Sequence, residues 1–179
     1  MGQEARTGRA ACQSQLASPS MRSVTSVSAS ASIFIPRPRD EVFEFATDMT
    51  NTPRTVRPYG PFAGIRKIEM IEGQSLAAGS KRRIWMTDGA VFDETILEFD
   101  PPVGHRYGWT GGVKLPFSLL IRSGTGNWDF TETAGGTRIV WTYTFGLTSP
   151  VAYPFAMPIA WLFAGFLQQG LNALRDEMS

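Results

Sequence analysis

Between Gly64 and Leu147 the chain divides into six short segments, "GIRKIEMIEG", "GSKRRIWMTDG", "AVFDETILEFD", "HRYGWTGG", "FSLLIRSGTGNWDFTET" and "GTRIVWTYTFGL", separated by Gly, Pro and Asp turns. Strand-forming residues at this close spacing predict an antiparallel meander. A further strand is predicted upstream. In "TSVSASASIFIP" the apolar Val27, Ala29, Ala31, Ile33 and Ile35 alternate with Ser26, Ser28, Ser30 and Ser32, the period of a half-buried strand, and Pro36 stops it. "RPRDEVFEFATDM" then places Val42, Phe45, Ala46 and Met49 at helical spacing behind Pro38 and acidic residues suited to a helix start, which predicts a short amphipathic helix. Pro53, Pro58 and Pro61 leave only loop or broken helix in "TNTPRTVRPYGPF".

The most apolar stretch, "AYPFAMPIAWLFAGFLQQGL", lies near the C-terminus. A membrane-spanning helix needs about 20 uninterrupted apolar residues. Here the run after Pro158 ends at Leu167, before Gln168 and Gln169, and extending it backward crosses Pro154 and Pro158. Leu162, Phe163, Phe166, Gly170, Leu174 and Met178 recur at helical spacing, while Gln168, Asn172, Arg175 and Asp176 form a polar side. The stretch therefore predicts an amphipathic closing helix that begins near a proline, without stable membrane insertion. A sheet of seven antiparallel strands has one apolar face to bury, and a single long helix laid across it is the simplest cover, with the sheet curled round the helix.

Composition narrows the function classes. The chain has 179 residues and a formal net charge of +1 with both signs interspersed, so nothing points to nucleic acid. One cysteine, Cys12, and one histidine, His105, leave neither a disulfide framework nor a His-rich metal site, and no cofactor is expected. Residues 1–23 are small, polar and weakly basic, with no signal-peptide core, and read as a disordered extension ahead of one domain at 24–179. Met21, just before the first patterned segment, is a candidate natural start alongside Met1, and a cytoplasmic location is expected.

The sharpest turn signal is Asp88-Gly89. A two-residue hairpin closed there sets Met86 opposite Val91, Ile84 opposite Asp93 and Arg82 opposite Thr95, so Arg82 and Asp93 point inward. Lys81, Arg83, Glu94 and Glu98, with Trp85 and Phe92, then take the solvent face. A slip of one residue would place Glu94 and Arg83 inside instead.

Four features of the chain resemble the START-like, or SRPBCC, superfamily, and most of all its polyketide cyclase/dehydrase branch. These are the strand-to-helix opening "SIFIPRPRDEVFEFATD", the turn "ETILEFDPP", the strand start "GGTRIVWTY", and the long terminal helix that follows. One departure is that Arg54 and Thr55 stand where that family commonly has a tryptophan after the proline of its helical break. The resemblance implies an α+β helix-grip fold: a seven-stranded curved antiparallel sheet wrapped around a long C-terminal helix, with short helices after the first strand. It also implies a deep, mostly apolar cavity between sheet and helix, in which relatives hold lipids, sterols, polyketides, plant hormones or quinones.

Five tryptophans and twelve phenylalanines agree with such a cavity. Ile139, Trp141, Tyr143, Phe145 and Leu147 share one face of the last strand and are expected to form its wall, faced by Phe155, Ile159, Phe163 and Phe166. The expected ligand-binding set is Arg82, Ile84, Met86, Asp93, Trp109, Trp141, Tyr143, Phe155, Ile159 and Phe163. Catalytic groups are scarce. Cys12 lies in the extension, and His105 follows a turn and is expected at an exposed strand edge, so no nucleophile triad is visible. "RSGTGNW" opens no helix, so it is read as a strand bulge and not a phosphate loop. Asp93 and the Tyr143 hydroxyl remain as weak catalytic candidates, and an Asp93 beside Arg82 would stay ionised in a structural or anchoring role.

The expected function is sequestration or carriage of a hydrophobic small molecule (lipid, polyketide or isoprenoid-like), gated by the terminal helix and the loop around Pro58. The alternative is a cyclase or dehydratase using an acid in the cavity. A third reading, surface association with a membrane through Phe155, Trp161 and Phe166, depends on the exposure of those side chains.

Overall fold

The computed structural model describes residues 25–179; the expected extension at 1–23, with Cys12 and the candidate start at Met21, lies outside them. Strand β1 (Ser26–Ile35) is followed by helices α1 (Arg39–Thr47) and α2 (Thr52–Thr55), strands β2 (Ile65–Glu72), β3 (Lys81–Met86), β4 (Val91–Asp100), β5 (Gly104–Thr110), β6 (Ile121–Thr133) and β7 (Gly136–Leu147), and helix α3 (Tyr153–Glu177). Short 3₁₀ turns at Phe117–Leu119 and Pro150–Ala152 precede β6 and α3. The "FSLL" start of the predicted fifth segment is thus a turn, and Pro116 before it favours that geometry over a strand.

All seven strands form one antiparallel sheet in the order β1-β7-β6-β5-β4-β3-β2. Only β1 departs from the meander, joining the far edge by pairing Ala29 with Tyr143 and Ala31 with Trp141. Its alternation is realised in full: Val27, Ala29, Ala31, Ile33 and Ile35 are buried, and the four serines and Phe34 are exposed. On the outer face Ser28 and Ser30 hydrogen-bond the Thr144 and Thr142 hydroxyls at 2.9 and 3.1 Å. Register shifts in β2, β4 and β6 sharpen the local twist and let the sheet curl round α3. The β6 shift falls at Arg122, so the bulge expected in "RSGTGNW" is present at its first residue, while Gly124 and Gly126 lie in regular ladder. They are glycines because aromatic side chains lie over them: a Cβ at Gly126 would stand 2.3 Å from Tyr107 Cζ, and one at Gly124 2.6 Å from Trp109 Cζ2.

The α3 helix begins beside a proline as expected, but that proline is Pro154, and the helix runs unbroken from Tyr153 through Pro158. Pro154 stands in the first turn, where no intrahelical N–H partner is lost, and Pro158 removes only one ladder bond a turn later. With its preceding turn the segment Pro150–Glu177 is, by length and composition, long and apolar enough to cross a membrane. Its C-terminal half is a core helix: Leu167, Leu171 and Leu174 are fully buried, each contributing roughly 1.5–3 kcal/mol. Arg54 and Arg57 reach Glu177 at 3.6 Å, tying the α2 segment to the end of α3.

Candidate functional site

A cavity of about 230 Å³ opens between the concave face of β3–β7, the loop after α2 and the middle of α3. Aromatic side chains dominate its apolar wall: Trp109, Trp128, Trp141, Tyr143 and Phe145 from the sheet, Phe62 from the loop, and Phe163 and Phe166 from α3. Edge-on contacts hold this lining, with Phe163 ring centroids 4.9 Å from Phe62 and Phe145 and 5.1 Å from Tyr143. A smaller apolar vestibule of about 110 Å³ adjoins it, sharing Phe62, Phe117 and Phe163 and extending to Ile159.

Polar chemistry gathers at the sheet end. Arg82 donates from Nε to Glu94 Oε2 at 2.8 Å, Nη2 stands in ion-pair contact with the same oxygen at 2.8 Å, and both side chains are buried. The Arg82 guanidinium also lies over the Tyr107 ring, 4.9 Å from its centroid. Burial raises the pKa of Glu94 against the opposing pull of Arg82. His105 packs beside Tyr107, and burial, reinforced by the Arg82 charge, lowers its pKa to about 3, so the imidazole is neutral. Burial likewise raises both buried phenols, Tyr107 with a further push from Glu94. The Trp109 indole N–H donates to the Tyr143 hydroxyl. His105 Nε2 is buried without a hydrogen-bond partner, and Trp141 Nε1 makes no well-aligned hydrogen bond although the Tyr107 hydroxyl lies near it; both residues line the cavity. One end of an apolar pocket thus presents a neutral imidazole and an indole donor with bonding capacity to spare, beside a fixed guanidinium–carboxyl pair.

Six of the ten residues expected to bind ligand, Arg82, Met86, Trp109, Trp141, Tyr143 and Phe163, line the cavity, as do the expected Phe145 and Phe166, whereas the expected wall residues Ile139 and Leu147 are buried without reaching it. Ile159 lines only the vestibule, and Ile84 is buried in β3 without reaching either space. Asp93 is misplaced by the inward expectation. The loop after β3 is Thr87-Asp88-Gly89, closed by Met86 N–H to the Ala90 carbonyl at 2.9 Å, with Gly89 at φ +82°. That three-residue turn shifts β4 by one, so Arg82 pairs with Glu94 and Arg83 with Asp93. Asp93 faces solvent and accepts from Arg83 Nε and Nη2 at 2.7 and 2.9 Å, a hydrogen-bonded pairing that lowers its pKa. Glu94 is the inward acid.

Phe155 is also misplaced: it is 63% exposed and turned away from β7. His105, expected at an exposed edge, is buried. Its parity with Tyr107 and Trp109 along β5 carried that information, because all three point to one face. Glu94 shares a face with Phe92 and Ile96 in the same way, a signal that the assumed turn length overrode.

A curved antiparallel sheet gripping one long helix over an aromatic-lined cavity defines a START-like, or SRPBCC, protein. The sequence profile described as "Polyketide cyclase / dehydrase and lipid transport" matches residues 26–179, and the chain belongs to that family. No curated protein matches the sequence. Solved structures share the fold. A protein from Thermus thermophilus is 20% identical with a TM-score of 0.62, over 84% of this chain and 95% of its own. A Nitrosospira multiformis protein is 15% identical with a TM-score of 0.64, over 86% and 97%. Ginseng major latex-like protein 151 from Panax ginseng is 15% identical with a TM-score of 0.61, over 85% and 97%.

Proposed function

We propose that this chain is a cytoplasmic carrier that sequesters an amphipathic small molecule of lipid, polyketide or isoprenoid type, its apolar body in the cavity and one polar group at the Arg82–Glu94–His105 end. The observation that carries the reading is the pairing of an aromatic-lined cavity of about 230 Å³ with two buried nitrogens in its wall, His105 Nε2 without a partner and Trp141 Nε1 without a well-aligned one. Drug-sized ligands occupy pockets of roughly 300–1,000 Å³. The adjoining vestibule of about 110 Å³ extends the space toward that range. A polar ligand atom bonded to these nitrogens would recover the cost of burying them. Native mass spectrometry of the purified chain, followed by organic extraction, tests this: a stoichiometric passenger with an apolar body supports it, and a chain that neither retains nor takes up such compounds contradicts it.

A second reading, a cyclase or dehydratase, draws on one observation. Glu94 is a buried carboxyl with a raised pKa, and it lines the same cavity as the neutral His105 imidazole. In that reading Glu94, and not Asp93, is the acid. Glu94→Gln with intact ligand affinity but lost turnover would establish it, and unchanged turnover would remove it.

A further inference from the structure

The first half of α3 inverts the arrangement usual for a helix lying on a soluble protein. Its inward stripe begins with the small residues Ala156 and Ala160, after Ala152 in the preceding turn, and reaches an aromatic only at Phe163, whereas its outward side carries Phe155, Met157 and Trp161. Phe155 is 63% exposed and Trp161 79%. A helix apolar on all sides is ordinarily covered all round, by protein or by lipid. In the most apolar 18-residue window of this segment only 33% is buried, so the protein itself supplies little of that cover.

A second element extends the same surface. The 3₁₀ turn before β6 carries Leu119, 66% exposed, with Leu115, 72% exposed, just ahead of it, and the turn is held to the connection between β7 and α3 by the Thr148 hydroxyl, which donates to the Leu119 carbonyl at 2.7 Å. Between turn and helix lies the vestibule, walled by Phe117 on one side and Ile159 on the other. Phe155 stands one helical turn before Ile159, so the apolar lining continues from the cavity onto the surface.

The charge pattern selects the partner. No charged residue occurs between Arg138 and Arg175, and none of the residues from Pro101 to Trp128 is acidic. The charges flanking the 3₁₀ turn are Lys114, whose ammonium donates to the Asp88 carbonyl at 2.8 Å, and Arg122; both are exposed and, among the described residues, in no salt bridge. An exposed apolar patch with amphipathic aromatics, Lys114 and Arg122 at its margin and no carboxylate in its own segments complements an anionic lipid surface.

We propose that the outer face of residues 151–161, together with Leu115 and Leu119, docks on the surface of an anionic bilayer and sets the vestibule against it. This goes beyond the cavity-binding reading and does not depend on which molecule the cavity holds.

The test is co-sedimentation of the full chain with vesicles of equal parts phosphatidylcholine and phosphatidylglycerol. The wild type is expected to bind, and Phe155→Ser with Trp161→Ser to weaken binding by at least about tenfold while the thermal midpoint holds. Lys114→Glu is expected to cost about fivefold, and only on anionic vesicles. Failure of the wild type to bind would overturn the proposal. So would a dimer in sedimentation velocity that the double variant dissociates, since a second copy would then cover the patch, or binding that survives alkaline carbonate, which would indicate a spanning helix.

Discussion

Arg82 and Glu94 show how much a single side chain carries in the cavity wall. Their two contacts at 2.8 Å are made away from bulk water, so removing the guanidinium strands a buried carboxyl. Arg82→Ala is predicted to lower unfolding free energy by about 3–5 kcal/mol in a urea titration. Breaking the exposed Arg83–Asp93 pair with Asp93→Asn should leave the midpoint unchanged, because solvent screens it. His105 gives the pH dependence. Its pKa falls from 6.5 to about 3 on folding, so its contribution is intact above pH 6.5 and is lost as the pH falls from there toward 3. The raised pKa of Glu94 acts in the opposite sense, favouring the fold as the pH falls toward its ordinary 4.5. The two are separated by His105→Phe: relative to wild type, the variant should lose less stability between pH 6.5 and 3 in parallel urea titrations, and equal losses would contradict the burial of a neutral imidazole. At this scale the sequence was legible only through parity. The phase of β3 put Arg82 inside correctly, whereas the identity of its inward partner turned on whether the loop held two residues or three. Both turns accept an Asp-Gly pair.

The elements were more legible than the residues they orient. Alternation in β1 and β7 and the Gly and Pro punctuation between strands reported all seven strands, because a half-buried strand leaves a mark every second residue. Close packing across strands leaves a weaker mark. Gly126 reads as a strand breaker until Tyr107 is seen lying over it, and Gly126→Ala is predicted to cost about 1–3 kcal/mol and to shift the Tyr107 ring, visible as altered near-ultraviolet circular dichroism. The α3 helix divides functionally along its length. Leu167→Ala, in the fully buried half, should cost about 2–5 kcal/mol by thermal or urea unfolding, while Trp161→Ser in the exposed half should be nearly neutral for stability. The extension of α3 back through Pro158 was hidden because a proline one turn into a helix is read from sequence as its start.

For the whole molecule, an open sheet closed by one helix cannot fill its own interior with aliphatic side chains alone, and the aromatic wall encloses a space where a layered fold would have solid core. The family and the fold were readable from turn and strand-edge motifs, since these specify geometry; the ligand was not, since the cavity depends on how far α3 stands from the sheet. The central claim is that this space holds an amphipathic molecule, with its polar group against His105 and Trp141. It is tested most directly by native mass spectrometry of the wild type beside Phe163→Trp, a substitution that enlarges a cavity-lining side chain opposite Tyr143. The expected result is a stoichiometric passenger on the wild type and its loss from a variant that remains folded. A folded wild type that stays empty after exposure to lipid, polyketide and isoprenoid extracts would contradict the claim.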